Sequence, residues 1–217
     1  MNTLKDVLVT EFNMDNYSVE ATISLLPDYF KKGDFSIEDL RDVLTSVVKH
    51  SPLDIKYSDP KYFKILNGHL RFKEDAPAGD VPQPFGYTDY SGLFHGIHNP
   101  YRSWNISHWD VSSITNMSHM FCSCEVFSFG DLRNWKTNLV TDMSNMFAYC
   151  EIKTDMNISG WNVRSVKSMF GMFYKASIKS TGDLTKWCLS EEADTRSMFN
   201  ACNSPYFCEN NAIKRIY

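Results

Sequence analysis

Trp109-Asp-Val-Ser-Ser-Ile-Thr-Asn-Met-Ser-His-Met-Phe-Cys-Ser-Cys124 is one copy of a pattern that recurs down the C-terminal half of the chain. Tryptophan returns at Trp109, Trp135, Trp161 and Trp187. A Met-Phe pair follows each, at Met120-Phe121, Met146-Phe147, Met172-Phe173 and Met198-Phe199. Both series advance by 26 residues without a slip. A fixed period of this size marks stacked supersecondary units, none of which can bury its apolar side alone.

Each copy carries an L-x-x-W-x-V stretch: Ile106–Val111, Leu132–Thr137, Ile158–Val163 and Leu184–Leu189. This predicts one short strand per copy at that position, stacked in parallel about 4.8 Å from its neighbour. Downstream, Val140, Met143, Met146 and Phe147 have the three-to-four spacing of a helical or 3₁₀ turn on the opposite side. The methionines 117, 143 and 169 are expected in the core. Cys124, Cys150 and Cys202 share a repeat slot with Ala176, so the slot is small and buried, where a free thiol behaves as a small hydrophobe. Cys122, Cys188 and Cys208 have no repeat equivalents, and no CxxC or Cys/His zinc spacing occurs. Reduced thiols in a cytosolic compartment are the expectation.

Upstream, Tyr87 to Phe94 imitates Ile114 to Phe121, with Phe94 lying 27 residues before Phe121. This reads as an atypical first repeat. The fourth copy departs in its own way, with Glu192 and Thr195 where the others have an aliphatic residue and Met, which predicts a looser terminal unit.

Period and residues together resemble the BspA-like leucine-rich-repeat family, in the variant whose copies read roughly W-D-V-S-x-V-T-x-M-x-x-M-F-x-x-C. The match covers about residues 87–205. The resemblance implies a short leucine-rich-repeat solenoid acting as a binding scaffold. Members are mostly surface or secreted adhesin-like proteins of bacteria and protists, with viral and phage copies also known.

The N-terminal third reads differently. Thr3-Leu4-Lys5-Asp6 has the form of a capping box, and Leu4, Val7, Leu8 and Phe12 follow on one helical face. Val19 to Leu26 predicts a second helix ended by Pro27. Ser36-Ile37-Glu38-Asp39 predicts a third N-terminus, with Ile37, Leu40, Leu44, Val47 and Val48 as its stripe and Ser51-Pro52 as its stop. Asn67-Gly68, a type I′ turn pair, predicts a hairpin over 62–73 in which Ile65 faces Leu70 and Phe63 faces Phe72 on one apolar side. The other side holds a basic patch, Lys61, Lys64, Arg71 and Lys73, a secondary candidate for partner binding. The Pro-rich stretch 76–86 reads as a linker or an extended connection. The expected organisation is therefore α+β: a helical domain with a hairpin over 1–75, a linker over 76–86, and the repeat solenoid with a C-terminal cap over 87–217.

Composition narrows the function. Charged residues are 22% and hydrophobic residues 43%, as in a folded globular protein. Residues 1–86 hold 14 acidic and 10 basic side chains and 87–217 hold 12 of each, so the repeats have no basic face of the kind that nucleic acid requires. No apolar run approaches the roughly 18 residues that span a bilayer. The N-terminus lacks a secretory signal pattern, which points to the cytoplasm, host cytoplasm for a phage or viral protein, and to a surface role only if a signal has been removed.

No P-loop, nucleophile elbow, dinucleotide fingerprint or metalloprotease helix occurs. His95-x-x-His98, with His108 and His119, lies in a Gly/Pro-rich loop without an accompanying carboxylate pattern and is not read as a metal site. No cofactor is expected. The primary expectation is a non-enzymatic scaffold for a protein partner, in its narrower form an inhibitor of a host complex. The contact residues would alternate with the apolar ones around each Trp: His108 and Asp110, Asn134 and Lys136, Asn162 and Arg164, and Lys186. An exported adhesin is the alternative. An activity in residues 1–75 using Asp34, Glu38, Asp39 and Asp42 is a third reading, although acids at a helix start also favour the helix dipole.

Overall fold

A computed structural model of the chain describes residues 3–32, 36–49, 56–203 and 214–216. It is a mixed α/β structure with parallel and antiparallel sheets. Helices α1 (Leu4–Phe12), α2 (Asn16–Leu25), α3 (Asp28–Lys31) and α4 (Ile37–Lys49) come first. The α1 capping box forms as the residues predict: the Asp6 amide donates to Thr3 Oγ1 at 3.2 Å and the Thr3 amide to Asp6 Oδ2 at 2.9 Å. Ser36 and Asp39 make the same exchange at α4. Leu26, held extended (ψ 145°) by the proline that follows, ends α2. Val7, Leu8, Phe12, Val19, Leu40, Leu44 and Val48 join Phe30 and Tyr57 in one core. Ile37 stays 38% exposed at the margin of that core. The Ser51-Pro52 stop lies outside the described residues.

Strands β1 (Phe63–Leu66) and β2 (His69–Phe72) form the hairpin in the expected register, Phe63 opposite Phe72 and Ile65 opposite Leu70. Asn67 and Gly68 both take positive φ, 52° and 78°, as a type I′ turn requires. The single apolar side is corrected: Phe63, Leu70 and Phe72 are buried but Ile65 is 44% exposed. Only the Phe63–Phe72 end is covered, with Phe72 against Phe94 (4.7 Å) and Trp104 (5.3 Å) and Phe63 against Trp109 (6.2 Å). Those contacts place the hairpin in the core of the repeats, not in that of the helices. Phe85 packs against the helix core and exchanges backbone hydrogen bonds of 3.0 and 2.8 Å with Tyr57 there.

The stretch 76–86 is not a free linker. Ala76 and Val81 are buried, and β3 (Gly79–Asp80) pairs in parallel with β4 (His98–Asn105). The Trp104 and Trp109 indoles donate to the carbonyls of Ala76 and Val81. Proline is tolerated there because β3 is an edge strand, whose outer amides need no partner strand.

The main sheet runs β3-β4-β5-β6-β7, with β5 Glu125–Ser128, β6 Glu151–Asp155 and β7 Ser177–Ser180. Its strands are parallel, and Glu125 pairs with Glu151 and Glu151 with Ser177, one period apart. There is one strand in each of these repeats, but it follows the M-F-x-x-C motif and does not contain the tryptophan. The L-x-x-W stretches are turns, with the Trp109, Trp135 and Trp161 amides bonded three residues back at 3.1 Å. The cause is local. Asn105, Asp131 and Asn157, four residues before each Trp, accept the amide two residues on at 3.0–3.1 Å and bend the chain out of the ladder. Only after Trp187 does an extended segment form, β8 (Cys188–Ser190), paired in parallel with β9 (Lys214–Ile216).

The Met-Phe segment is likewise not a helix. Met146, Ala148 and Cys150 bond three residues back, while Met143, Asn145, Phe147 and Tyr149 bond sideways to carbonyls of the next repeat at 2.8 Å. Because alternate amides are spent laterally, a helical ladder cannot propagate. Asn145 and Tyr149 turn left-handed, with φ 51° and 56°.

The aromatic ladder follows from that lateral bonding. Phe94, Phe121, Phe147, Phe173 and Phe199 stack with successive centroids 5.2–5.5 Å apart and planes within 10°. The Trp135–Trp161 and Trp161–Trp187 pairs stack at 5.9 and 6.3 Å. Cys124, Cys150, Ala176 and Cys202 are all buried, as their shared slot predicts. In the fourth copy Glu192 is exposed and Ala193 turns inward instead.

Candidate functional site

The residues predicted to face outward from strands lie on turns. His108, Asn134 and Lys186 are exposed one residue before their tryptophans, and Lys136 and Arg164 are exposed after theirs. Asp110 and Asn162 serve the backbone: the Ser112 amide donates to Asp110 Oδ1 (3.0 Å) and the Arg164 amide to Asn162 Oδ1 (3.1 Å). The seven therefore line the turn edge of the repeats and not the sheet face, because the Asx bends remove the tryptophan stretch from the ladder. The basic patch is also broken up. Arg71 Nη1 donates to the carbonyls of Leu70 and Ser91, Lys73 Nζ to that of Pro60, and the Lys61 ammonium sits over the Tyr62 ring. Lys64 remains exposed.

Among the acids of the N-terminal segment, Asp39 is the α4 cap and Asp34 lies outside the described residues. Of the His95, His98, His108 and His119 set, His98 Nδ1 is 3.1 Å from Glu125 Oε2, while His95 and His119 line one cleft.

The outward sheet face is built by alternation. Val126, Ile152 and Ile178 point inward, so Glu125 and Phe127, Glu151 and Lys153, and Ser177 and Lys179 point out. On β4 the register shifts between Asn99 and Ser103, and this irregularity leaves Tyr101 90% exposed. Phe127 on the adjacent strand is 46% exposed. Charges surround the pair: Lys153 bridges Glu151 and Glu125, and Lys179 lies 3.5 Å from Asp155. The Glu151 carboxylate beside it holds the Lys153 ammonium above its ordinary range. A shallow depression runs between Phe127, Ser103, Thr154 and Lys179. The geometry offers exposed aromatics on a sheet face with polar, paired charges around them.

This face was accessible to sequence reasoning. Cys124-Glu-Val-Phe, Cys150-Glu-Ile-Lys and Ala176-Ser-Ile-Lys each alternate polar and β-branched residues, the period of a half-buried strand. The tryptophans drew attention from that weaker signal.

Fold and surface together define an α/β protein of in-register 26-residue repeats that displays one side of a parallel sheet. The chain belongs to the family described as "Mycoplasma protein of unknown function, DUF285", whose sequence model covers residues 88–210, more than half of its length. Comparisons with curated proteins and with solved structures each returned no match.

Proposed function

We propose that this protein is a non-enzymatic protein-interaction scaffold, a short solenoid of the BspA-like leucine-rich-repeat type that recognises a partner protein through the strand face. The observation that carries this is the exposure of two aromatics on adjacent strands of the parallel sheet, Tyr101 at 90% and Phe127 at 46%. Exposed aromatics with paired charges around them have the make-up of an interface centre and rim. Cys122, Cys124, Cys150 and Cys188 carry free thiols, which supports a reducing compartment such as the cytoplasm. No helix among the described residues is long and apolar enough to cross a membrane.

The test compares two variants in affinity purification from the native cell. Tyr101→Ser with Phe127→Ser removes the strand-face aromatics, and Lys136→Glu with Arg164→Glu and Lys186→Glu reverses the turn-edge charges. All five side chains are outside the core, so both variants are expected to unfold at the wild-type temperature. The scaffold reading expects a specific partner to be lost with the first variant and kept with the second. Equal capture by wild type and the aromatic variant rejects the strand face.

A further inference from the structure

A second surface feature lies away from the sheet face, where the hairpin meets the first two repeats. Arg71, Ser91, Gly92, His95, Ser118 and His119 line a cleft of ≈ 320 Å³. Every ionisable side chain in that lining is basic.

The cleft is assembled by the fold. Gly92 and His119 occupy equivalent left-handed positions in successive repeats, with φ 58° and 55°. Arg71 reaches over from β2, and its Nη1 donates to the Leu70 carbonyl at 2.8 Å and the Ser91 carbonyl at 2.9 Å. Those two bonds fix the guanidinium plane. Gly92 makes room for it, since a Cβ there would lie 3.2 Å from Nη2 and 3.3 Å from Cζ. Nη2 makes no hydrogen bond among the described residues, and neither do the ring nitrogens of His95 and His119 or the Ser91 and Ser118 hydroxyls. Convergent uncommitted donors of one charge sign are what an anion site requires.

We propose that this cleft binds a phosphoryl group, with Arg71, His95 and His119 supplying charge and the Ser91 and Ser118 hydroxyls supplying neutral donors. A tetrahedral phosphoryl anion, which keeps negative charge at pH 6 as well as at pH 8, can accept from all of these directions at once, as a planar carboxylate cannot. Burial, together with the neighbouring His119 and Arg71 charges, pushes the His95 imidazole below its ordinary range. A bound anion reverses that balance. His95 then takes up a proton on binding, and affinity rises as pH falls through the neutral range. Other charges bear on the cleft. Asp89, whose carboxylate accepts the Ser91 amide at 2.7 Å, interacts with Arg71 and opposes anion binding. Lys64, opposite Arg71 in the hairpin, favours it.

The experiment is a titration of the full chain with inorganic phosphate, and separately with a phosphoserine peptide, observed through the imidazole resonances by NMR at pH 6 and pH 8. Phosphate is expected to shift the His95 and His119 signals along one binding curve, to raise the His95 imidazole pKa, and to bind about tenfold more weakly at pH 8. His95→Gln, a change at an exposed side chain, is expected to remove most of the pH dependence. Arg71→Met, checked for fold by circular dichroism, is expected to weaken binding at least about tenfold. Tighter binding of the peptide assigns the site to a phosphorylated protein, and equal binding assigns it to free phosphate; either supports a phosphoryl site. If neither ligand moves the two imidazoles at millimolar concentration, or if His95→Gln binds with unchanged affinity and pH dependence, the proposal is overturned.

Discussion

Gly160 lies against the carbonyl oxygen of Arg133 in the preceding repeat so closely that a Cβ on residue 160 would overlap that oxygen. The same repeat position holds His108, Asn134 and Lys186 in the other copies, so the approach is particular to this pair of repeats. The obstructing atom is backbone and cannot rotate away. Gly160→Ala is expected to cost about 2–3 kcal/mol in urea denaturation. Asn134→Ala, at an exposed side chain, is expected to change stability by less than about 0.5 kcal/mol.

The tryptophan ladder predicts an inequality. Trp161 stacks between Trp135 and Trp187 and donates its Nε1 proton to the Leu132 carbonyl at 2.8 Å. Trp187 is equally buried, but its Nε1 has no acceptor among the described residues. Trp161→Phe therefore breaks a hydrogen bond, whereas Trp187→Phe removes an unpaired donor. The first change should cost about 1–2 kcal/mol more than the second. Equal losses in the two variants would show that the indole hydrogen bond contributes nothing.

Left-handed backbone recurs at one slot, at Gly96, Ser123, Tyr149, Lys175 and Ala201, with φ between 52° and 72°. Only the first of these is a glycine. Ala201 is exposed and its methyl group contributes little packing. Ala201→Gly is expected to stabilise the fold by about 0.5–1 kcal/mol, the relief of the Cβ clash outweighing the extra freedom of the unfolded chain. A higher melting temperature checks this, and a lower one refutes it.

Asp194 accepts from the Arg196 amide at 3.0 Å and from its guanidinium at 2.8 and 2.9 Å, which lowers the carboxyl pKa to about 2. A depressed folded-state value means the stabilising contribution is complete above the ordinary value of 3.8 and is lost as pH falls through about 2. NMR titration of the Asp194 carboxyl carbon should place its midpoint there. Arg196→Ala should return it toward the ordinary range, while an unmoved midpoint would exclude the guanidinium as the cause.

Local chemistry made some elements legible in advance. The Thr3–Asp6 and Ser36–Asp39 caps, the Asn67-Gly68 turn and the Phe63–Phe72 register each depend on groups within a few residues of one another. The Phe ladder was legible because burial repeats with the sequence period. The strands of the candidate site left only a weak alternation signal after each M-F-x-x-C motif. The Asn and Asp residues four positions before each Trp were available to read, but whether their Asx turns would win over strand pairing was not. Placing the strands on the tryptophans put the wrong side chains on the outer face and overlooked Tyr101 and Phe127. Arg71 reads as part of an outward basic patch on the hairpin because nothing in its neighbourhood along the chain shows that Gly92 and Ser91 receive it.

By itself, the sequence determined the 26-residue period, the identity of the buried rings and small residues, and the N-terminal caps of α1 and α4. Each of these is set by burial periodicity or by hydrogen bonds between near neighbours. Tertiary structure alone decided which part of each repeat became the strand, because lateral bonding to a repeat 26 residues away competes with every local turn. It also decided what faces the solvent together. Tyr101 and Phe127 share one sheet face, and Arg71, His95 and His119 line one cleft, only because stacked repeats and a docked hairpin bring distant positions together.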